Sequence, residues 1–241
     1  MANEHRPGVR RRVLAASAGG AFVTLAAYEL AMALSRRIGS PAWANPVLLA
    51  IAMVVGVLDL TRTSYEVYFD TAKLVHVLLG PAVVALAVPL HGNLRTIQRS
   101  AAPVTCAVIA GAASAAVSAI GIAWALGASK SVILSVAPKS VTTAIAMGIS
   151  HQIGGLPDLT AILVIVTGIL GAILSLPLLR LTGLHCMRAS GLAAGVAGHA
   201  IGTARVLAID ETGGAFAGLG MGLCGIFTAT VMPTVVGLLQ R

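Results

Sequence analysis

The run Pro138-Lys139-Ser140-Val141-Thr142-Thr143 places a lysine inside a membrane-grade apolar stretch. Farther along, Gly198-His199-Ala200-Ile201-Gly202-Thr203-Ala204-Arg205 interrupts another such stretch. A lysine or arginine at the centre of a bilayer helix costs roughly 2.5–3.5 kcal/mol even on the lenient insertion scale. Residues of this kind persist where they face a cavity, a partner or a substrate. Both runs lie beside helix breakers, where freed backbone groups can also take a ligand. The pattern points to a small polar solute handled at membrane depth.

Composition sets the class. Of 241 residues, 57% are hydrophobic and only 10% charged, with a mean hydropathy of +0.93. Soluble domains carry about 25% charged residues, so this is an integral membrane protein with little soluble mass. Aromatics are scarce while Gly and Ala abound, which favours close helix contact in lipid. The net charge is +8, with Arg6, Arg10, Arg11 and Arg12 crowded at the start. That cluster reads as a cytoplasmic anchor in a basic tail over residues 1–12. No soluble domain follows it to form a nucleic-acid interface. Cys106, Cys186 and Cys224 have no metal-ligand spacing, and no cofactor motif is present.

Eight apolar elements are expected, near 13–35, 44–61, 70–91, 101–127, 131–151, 158–181, 188–208 and 214–239. Each approaches the roughly 20 residues a bilayer requires. Short turns separate them, among them Gly39-Ser40-Pro41 and Gly154-Gly155-Leu156-Pro157. Three elements carry internal breakers: Gly80-Pro81 in the third, Pro138 in the fifth and Gly198 in the seventh. Each reads either as a true break or as a kink in a continuous helix.

The two halves, 13–127 and 128–241, resemble each other. Ser35-Arg36-Arg37-Ile38-Gly39 recurs as Ser150-His151-Gln152-Ile153-Gly154, and Gly56 then matches Gly171 at the same offset. Gly80-Pro81-Ala82 matches Gly198-His199-Ala200, and Cys106 matches Cys224, at an offset three residues longer. A duplicated bundle with paired broken helices is a transporter signature. The expected fold is an all-α polytopic membrane protein of two four-element repeats. If all elements cross, the repeats are parallel; if the third and seventh are re-entrant, they are inverted. Both arrangements satisfy the positive-inside rule. The inverted one is preferred because its symmetry offers a direct route to alternating access.

The chemistry follows from the polar runs. Lys139 offers a cation, and Ser140, Thr142 and Thr143 offer hydroxyls. A helix starting after Pro138 presents free N–H groups to an anion. His199 can donate, accept or titrate. Gly202 permits close backbone approach, Thr203 adds a hydroxyl, and Arg205 can grip a carboxylate with two parallel hydrogen bonds. These groups suit a small carboxylate bearing a hydroxyl or keto group. The bland readings are snorkelling for Lys139, an interfacial anchor for Arg205 and an interhelical bond for His199. His199 and Glu29 are the candidate proton sites, although Glu29 also reads as an interfacial contact of Arg36 or Arg37. Asp59 and Arg62 have the spacing of a surface pair. No nucleophile-base pair or phosphate loop is evident, which argues against an enzyme.

Several of these segments resemble the LrgB/CidB family. The likeness rests on Pro138 to Ala146, Gln152-Ile153-Gly154-Gly155, Thr167-Gly168-Ile169-Leu170-Gly171, the run His199 to Arg205, and Gly213-Gly214-Ala215-Phe216. In the first half Leu79-Gly80-Pro81-Ala82 and Ala85 to Leu90 match, so the likeness covers about residues 20–239. The family often has proline where this chain has Ala144. The resemblance implies a multi-pass bacterial inner-membrane protein, N-terminus cytoplasmic, paired with a small holin-like partner of the LrgA/CidA type. It implies a link to murein hydrolase control and cell lysis. Relatives transport small carboxylates, pyruvate in bacteria and glycolate and glycerate in plastids. The leading expectation is a monocarboxylate transporter working by alternating access. The alternative is a holin- or antiholin-like regulator of permeability acting through oligomerisation. A homodimer is expected, through small residues of the first or fourth element, such as the run Ala107 to Ala119.

Overall fold

The computed structural model describes residues 7–39, 44–85, 87–183 and 185–239. These form eleven helices and, among the described residues, no strand. In order they are α1 (Pro7–Arg37), α2 (Pro46–Leu60), α3 (Tyr65–Ala85), α4 (Ala87–Gly92), α5 (Leu94–Arg99) and α6 (Ala101–Ala125). Then come α7 (Lys130–Val136), α8 (Thr143–Ile153), α9 (Pro157–Leu181), α10 (Met187–Leu207) and α11 (Glu211–Leu239). Packing divides the chain into two compact units, Met1–Ala85 and Leu86–Arg241. That division differs from the repeat boundary at 127/128.

In the first unit α1 packs on α2 and α3. Gly20 makes the second contact possible: a Cβ there would lie 2.9 Å from the backbone nitrogen of Ala72. One turn on, the Thr24 and Tyr68 hydroxyls share a 2.7 Å hydrogen bond. Asn45 caps α2, its side chain accepting from the N–H of Val47 at 2.8 Å, with Pro46 at the first helical position. This is the arrangement a capping Asn and an initial Pro favour. Among the described residues α1 runs from Pro7, so Arg10, Arg11 and Arg12 lie in its first turns. Arg6, Ser40 and Pro41 lie outside the described residues.

The third element departs from expectation. Helix α3 runs through Gly80 and Pro81 and ends at Ala85. Pro177 and Pro233 likewise sit inside α9 and α11. A proline removes one ladder bond, and in membrane helices local adjustment re-satisfies the freed carbonyl. Pro138 differs because Lys139, Ser140 and Thr142 follow it, and Ser and Thr compete poorly for helix interiors. Here α7 stops at Val136, and Thr142 is extended (φ −62°, ψ 149°) before α8 begins.

In the second unit α6, α9 and α11 are long and apolar enough to cross a bilayer. The protein is a multi-pass membrane protein. Helices α7 and α8 have 7 and 11 residues, about 10 and 16 Å on a 1.5 Å rise. Neither crosses a hydrocarbon core of about 30 Å, so the fifth element is not a single span. It leaves a fixed point and returns to it. The hydroxyl of Thr160, at the start of α9, lies within hydrogen-bond distance of the Ser135 carbonyl, at 3.0 Å, and of the Ser150 hydroxyl, at 2.7 Å. The Ser135 hydroxyl in turn accepts from the N–H of Leu156 at 2.7 Å. The turn Gly154-Gly155-Leu156-Pro157 makes this junction. Gly154 takes the left-handed cap (φ 88°), which glycine adopts without penalty. At Gly155 a Cβ would lie 3.0 Å from the backbone nitrogen of Ser135.

The seventh element also doubles back. His199 has φ 39° and ψ −130°, outside any helix. A Cβ on Gly202 would strike the carbonyl oxygen of Ala194. Residues eight apart in a straight helix are about 12 Å apart, so this contact requires a reversal. The ends agree: a Cβ on Gly213 would lie 2.9 Å from Val206 and 3.1 Å from the carbonyl of Met187. Helix α10 is therefore a hairpin of two half-helices with its tip at Gly198-His199. Its first half lies against α11 through small residues, Gly191 on Gly213 and Gly195 on Ala217. Around these contacts Val104, Val108, Val141, Val164, Val196 and Phe216 form the main core.

Candidate functional site

The two hairpins bring the polar runs to the same depth. A three-residue connection joins α8 to α9, so the two run antiparallel. Thr142 stands eight residues before Ser150, and Gly168 eight after Thr160. With Ser150 bonded to Thr160, the far end of the break, at Thr142, lies about level with Gly168. Gly168 is close to the middle of the 25-residue α9. The tip of α10 meets α9 at that level too. A Cβ on Gly171 would lie 2.7 Å from the Cα of Gly198, and one on Gly168 would lie 2.5 Å from the His199 ring.

At this level Lys139 is half-buried and donates to the Ser140 hydroxyl at 3.4 Å. No carboxylate lies within ion-pair distance of it among the described residues. Ser140 is buried, and its carbonyl faces the Cys224 sulfur of α11 at 4.0 Å. Thr142 is the N-cap of α8, but its side chain makes no capping bond. The first N–H groups of α8, from Thr143 on, are thus left uncapped beside Lys139. An uncapped helix start and an ammonium both favour an anion.

His199 is buried at 3% exposure, with Nε2 2.9 Å from the carbonyl oxygen of Val164. Thr203 is buried and donates to the carbonyl of His199 at 2.8 Å. Gly202 is occupied by its contact with Ala194. Arg205 is half-buried and, two residues beyond Thr203, sits about 200° round the half-helix from it. The structure thus joins Lys139 to Ser140, anchors His199 on Val164, and bonds Thr203 to the His199 carbonyl one turn back. Arg205 stands off the Thr203 face.

Glu29 lies exposed on α1 and makes no bond to Arg36 or Arg37. Arg36 instead approaches the Met32 sulfur at 4.0 Å. Asp59 and Arg62 are both exposed and unpaired with each other, whereas Asp70 and Lys73 pair at 2.7 Å. Asp210 caps α11, accepting from the N–H of Gly213 at 2.5 Å. Sequence reading missed the Val164 carbonyl and the Ser135–Ser150–Thr160 junction. A backbone carbonyl has no sequence signal, and isolated hydroxyls in apolar helices usually bond their own backbone.

Comparison with known proteins adds the group to which this arrangement belongs. A family model described as LrgB-like matches residues 24–238. The chain belongs to the LrgB-like family. Among relatives, YxaC of Bacillus subtilis is 34% identical over 217 residues, covering 90% of this chain and 94% of that protein. A Haemophilus influenzae protein is 32% identical over 218 residues, covering 90% and 94%. The holin-like protein CidB of Staphylococcus aureus strain Mu50 is 32% identical over 215 residues, covering 89% and 93%. No solved structure matches. The LrgB-like match takes in both hairpins, nearly all of the second packed unit and the first unit from residue 24 on.

Proposed function

We propose that this LrgB-like protein is a transporter of small monocarboxylates, of the size of pyruvate, glycolate or acetate, working by alternating access. The observation that carries the reading is Lys139: a half-buried cation, without a carboxylate partner among the described residues, at the mid-depth break between two short helices. A dry, occluded ammonium would cost several kcal/mol unless paired. The substrate carboxylate supplies that pair, assisted by the N–H groups at the start of α8. Ser140, Thr142 and Thr143 are the groups proposed to meet the rest of the molecule, with Gly202, Thr203 and Arg205 of the second polar run lining the approach. Substrate occupancy then becomes a condition for translocation. The protein is proposed to sit in a bacterial inner membrane, N-terminus cytoplasmic, as a homodimer, with a small holin-like membrane protein as partner. Its place in murein hydrolase control and lysis would follow from carboxylate flux.

The test is uptake of labelled pyruvate, glycolate and acetate into proteoliposomes containing this chain alone. Uptake should saturate, and Lys139→Ala should reduce it at least tenfold while melting temperature stays within a few degrees. Unchanged uptake in the variant would remove Lys139 from the site. The name holin-like, carried by CidB, favours a second reading as a permeability regulator. A steady, unsaturable conductance without substrate would establish that reading and reject alternating access.

A further inference from the structure

The backbone at His199 is unusual for a residue with a side chain. At φ 39° and ψ −130° it occupies a region that glycine enters freely and other residues enter only under strain. Arg62 is the other described non-glycine residue with positive φ, and it lies in an exposed turn. His199 is buried, in the tip of a hairpin, between two helices. Sparsely populated conformations of this kind cost of order 1–3 kcal/mol and persist only where the surroundings over-determine them. Three contacts do so here. The imidazole Nε2 meets the Val164 carbonyl at 2.9 Å. Gly168 leaves room for the ring, since a Cβ there would lie 2.5 Å from Cε1 and 2.6 Å from Nε2. Thr203 back-bonds the His199 carbonyl one turn earlier at 2.8 Å, tying His199 into the first turn of the returning half-helix.

We infer that His199 is a positioning residue: its imidazole, anchored on the Val164 carbonyl, clamps the α10 tip in a strained backbone conformation and so sets the tip against the Lys139 break. With Nε2 held by the Val164 carbonyl, the role inferred for the residue is carried by the tip it holds. Loss of the clamp releases the tip to a relaxed conformation and misplaces it relative to Lys139. The inference rests on the transport reading for its activity readout alone.

The test compares His199→Gly, His199→Ala and Gly168→Ala by hydrogen exchange over residues 197–203 and by pyruvate uptake in proteoliposomes. In an ordinary helix glycine loosens the chain relative to alanine. At this strained position the order should reverse, with the tip exchanging about fivefold or more faster in His199→Ala than in His199→Gly. His199→Gly should also keep several-fold more uptake than His199→Ala. Gly168→Ala retains the histidine but fills its space, and should behave like His199→Ala. Should that variant fail to fold, the glycine–alanine comparison at 199 still decides. Exchange as fast in His199→Gly as in His199→Ala, or faster, overturns the clamp. Uptake lost equally in both, with a parent-like tip in His199→Gly, overturns the positioning role and makes the imidazole a direct ligand or proton carrier. If the parent shows no uptake, the transport reading fails, and the exchange comparison alone decides the clamp.

Discussion

At Lys139 a single side chain carries the proposed anion chemistry, and its surroundings explain why it survives in an apolar chain. Helix α7 stops before it, tight turns carry the backbone past it, with the Lys139 N–H bonded to the Val136 carbonyl at 3.2 Å and the Val141 N–H to that of Pro138 at 3.3 Å, and the start of α8 adds field of the sign an anion prefers. Cys186 shows a related effect outside the spanning segments. It precedes α10 and is exposed. The N–H groups of Ala189 and then Arg188 hold its thiol below the usual thiol range, because a helix start favours the thiolate. A lowered value means the thiolate is populated from a lower pH upward. Alkylation of Cys186 by iodoacetamide should therefore rise and level off at lower pH than that of an ordinary thiol. Peptide mass spectrometry across a pH series would measure this, and a midpoint equal to that of a free cysteine peptide would contradict it.

Among the elements, the α10 hairpin depends on glycine in a way that can be separated from glycine content in general. Its first half touches α11 backbone to backbone at Gly191–Gly213 and Gly195–Ala217. Where the obstructing atom is a carbonyl oxygen, no side chain can move aside. Gly195→Val should therefore destabilise the protein by about 1–3 kcal/mol or more, the usual range for overpacking. Gly222, on α11, has nothing within 4 Å of a built Cβ. Gly222→Ala should leave stability unchanged or slightly raised, since alanine is the better helix former. Thermal unfolding in detergent would compare the two. Equal melting temperatures would mean that the α10–α11 contact is looser than described.

On the scale of the whole molecule, the prediction concerns assembly. Cys106, Ala110, Ala113, Val117 and Gly121 lie on one exposed face of α6. Small residues at this spacing allow two helices to approach closely in lipid. If the proposed homodimer uses that face, a short bis-maleimide should link Cys106 to Cys106 in native membranes. A Cys106→Ser control should remain unlinked. Absence of a linked dimer, with a monomer mass in mild detergent at high protein concentration, would count against it.

Composition and hydropathy already specified an all-helical membrane protein, because a bilayer leaves the backbone few other options. The polar runs around Lys139 and His199 were legible for the same reason, since charge and hydrogen-bonding groups are costly in hydrocarbon and stand out. Breaker residues were a weaker guide. Pro81, Pro177 and Pro233 sit inside helices while Pro138 marks a break, because a proline's cost depends on whether neighbours can satisfy the freed carbonyl. Sequence spacing also grouped Arg205 with Thr203, whereas the half-helix turns them to different sides. Which elements cross and which return depended on contacts distant along the chain: Thr160 with Ser135 and Ser150, Gly202 with Ala194, His199 with Val164. Local pattern contains neither a reversal that closes on a carbonyl thirty-five residues away nor the space that Gly168 leaves for a ring. Those relations exist only when the helices are packed, and they bring Lys139 and His199 to one depth.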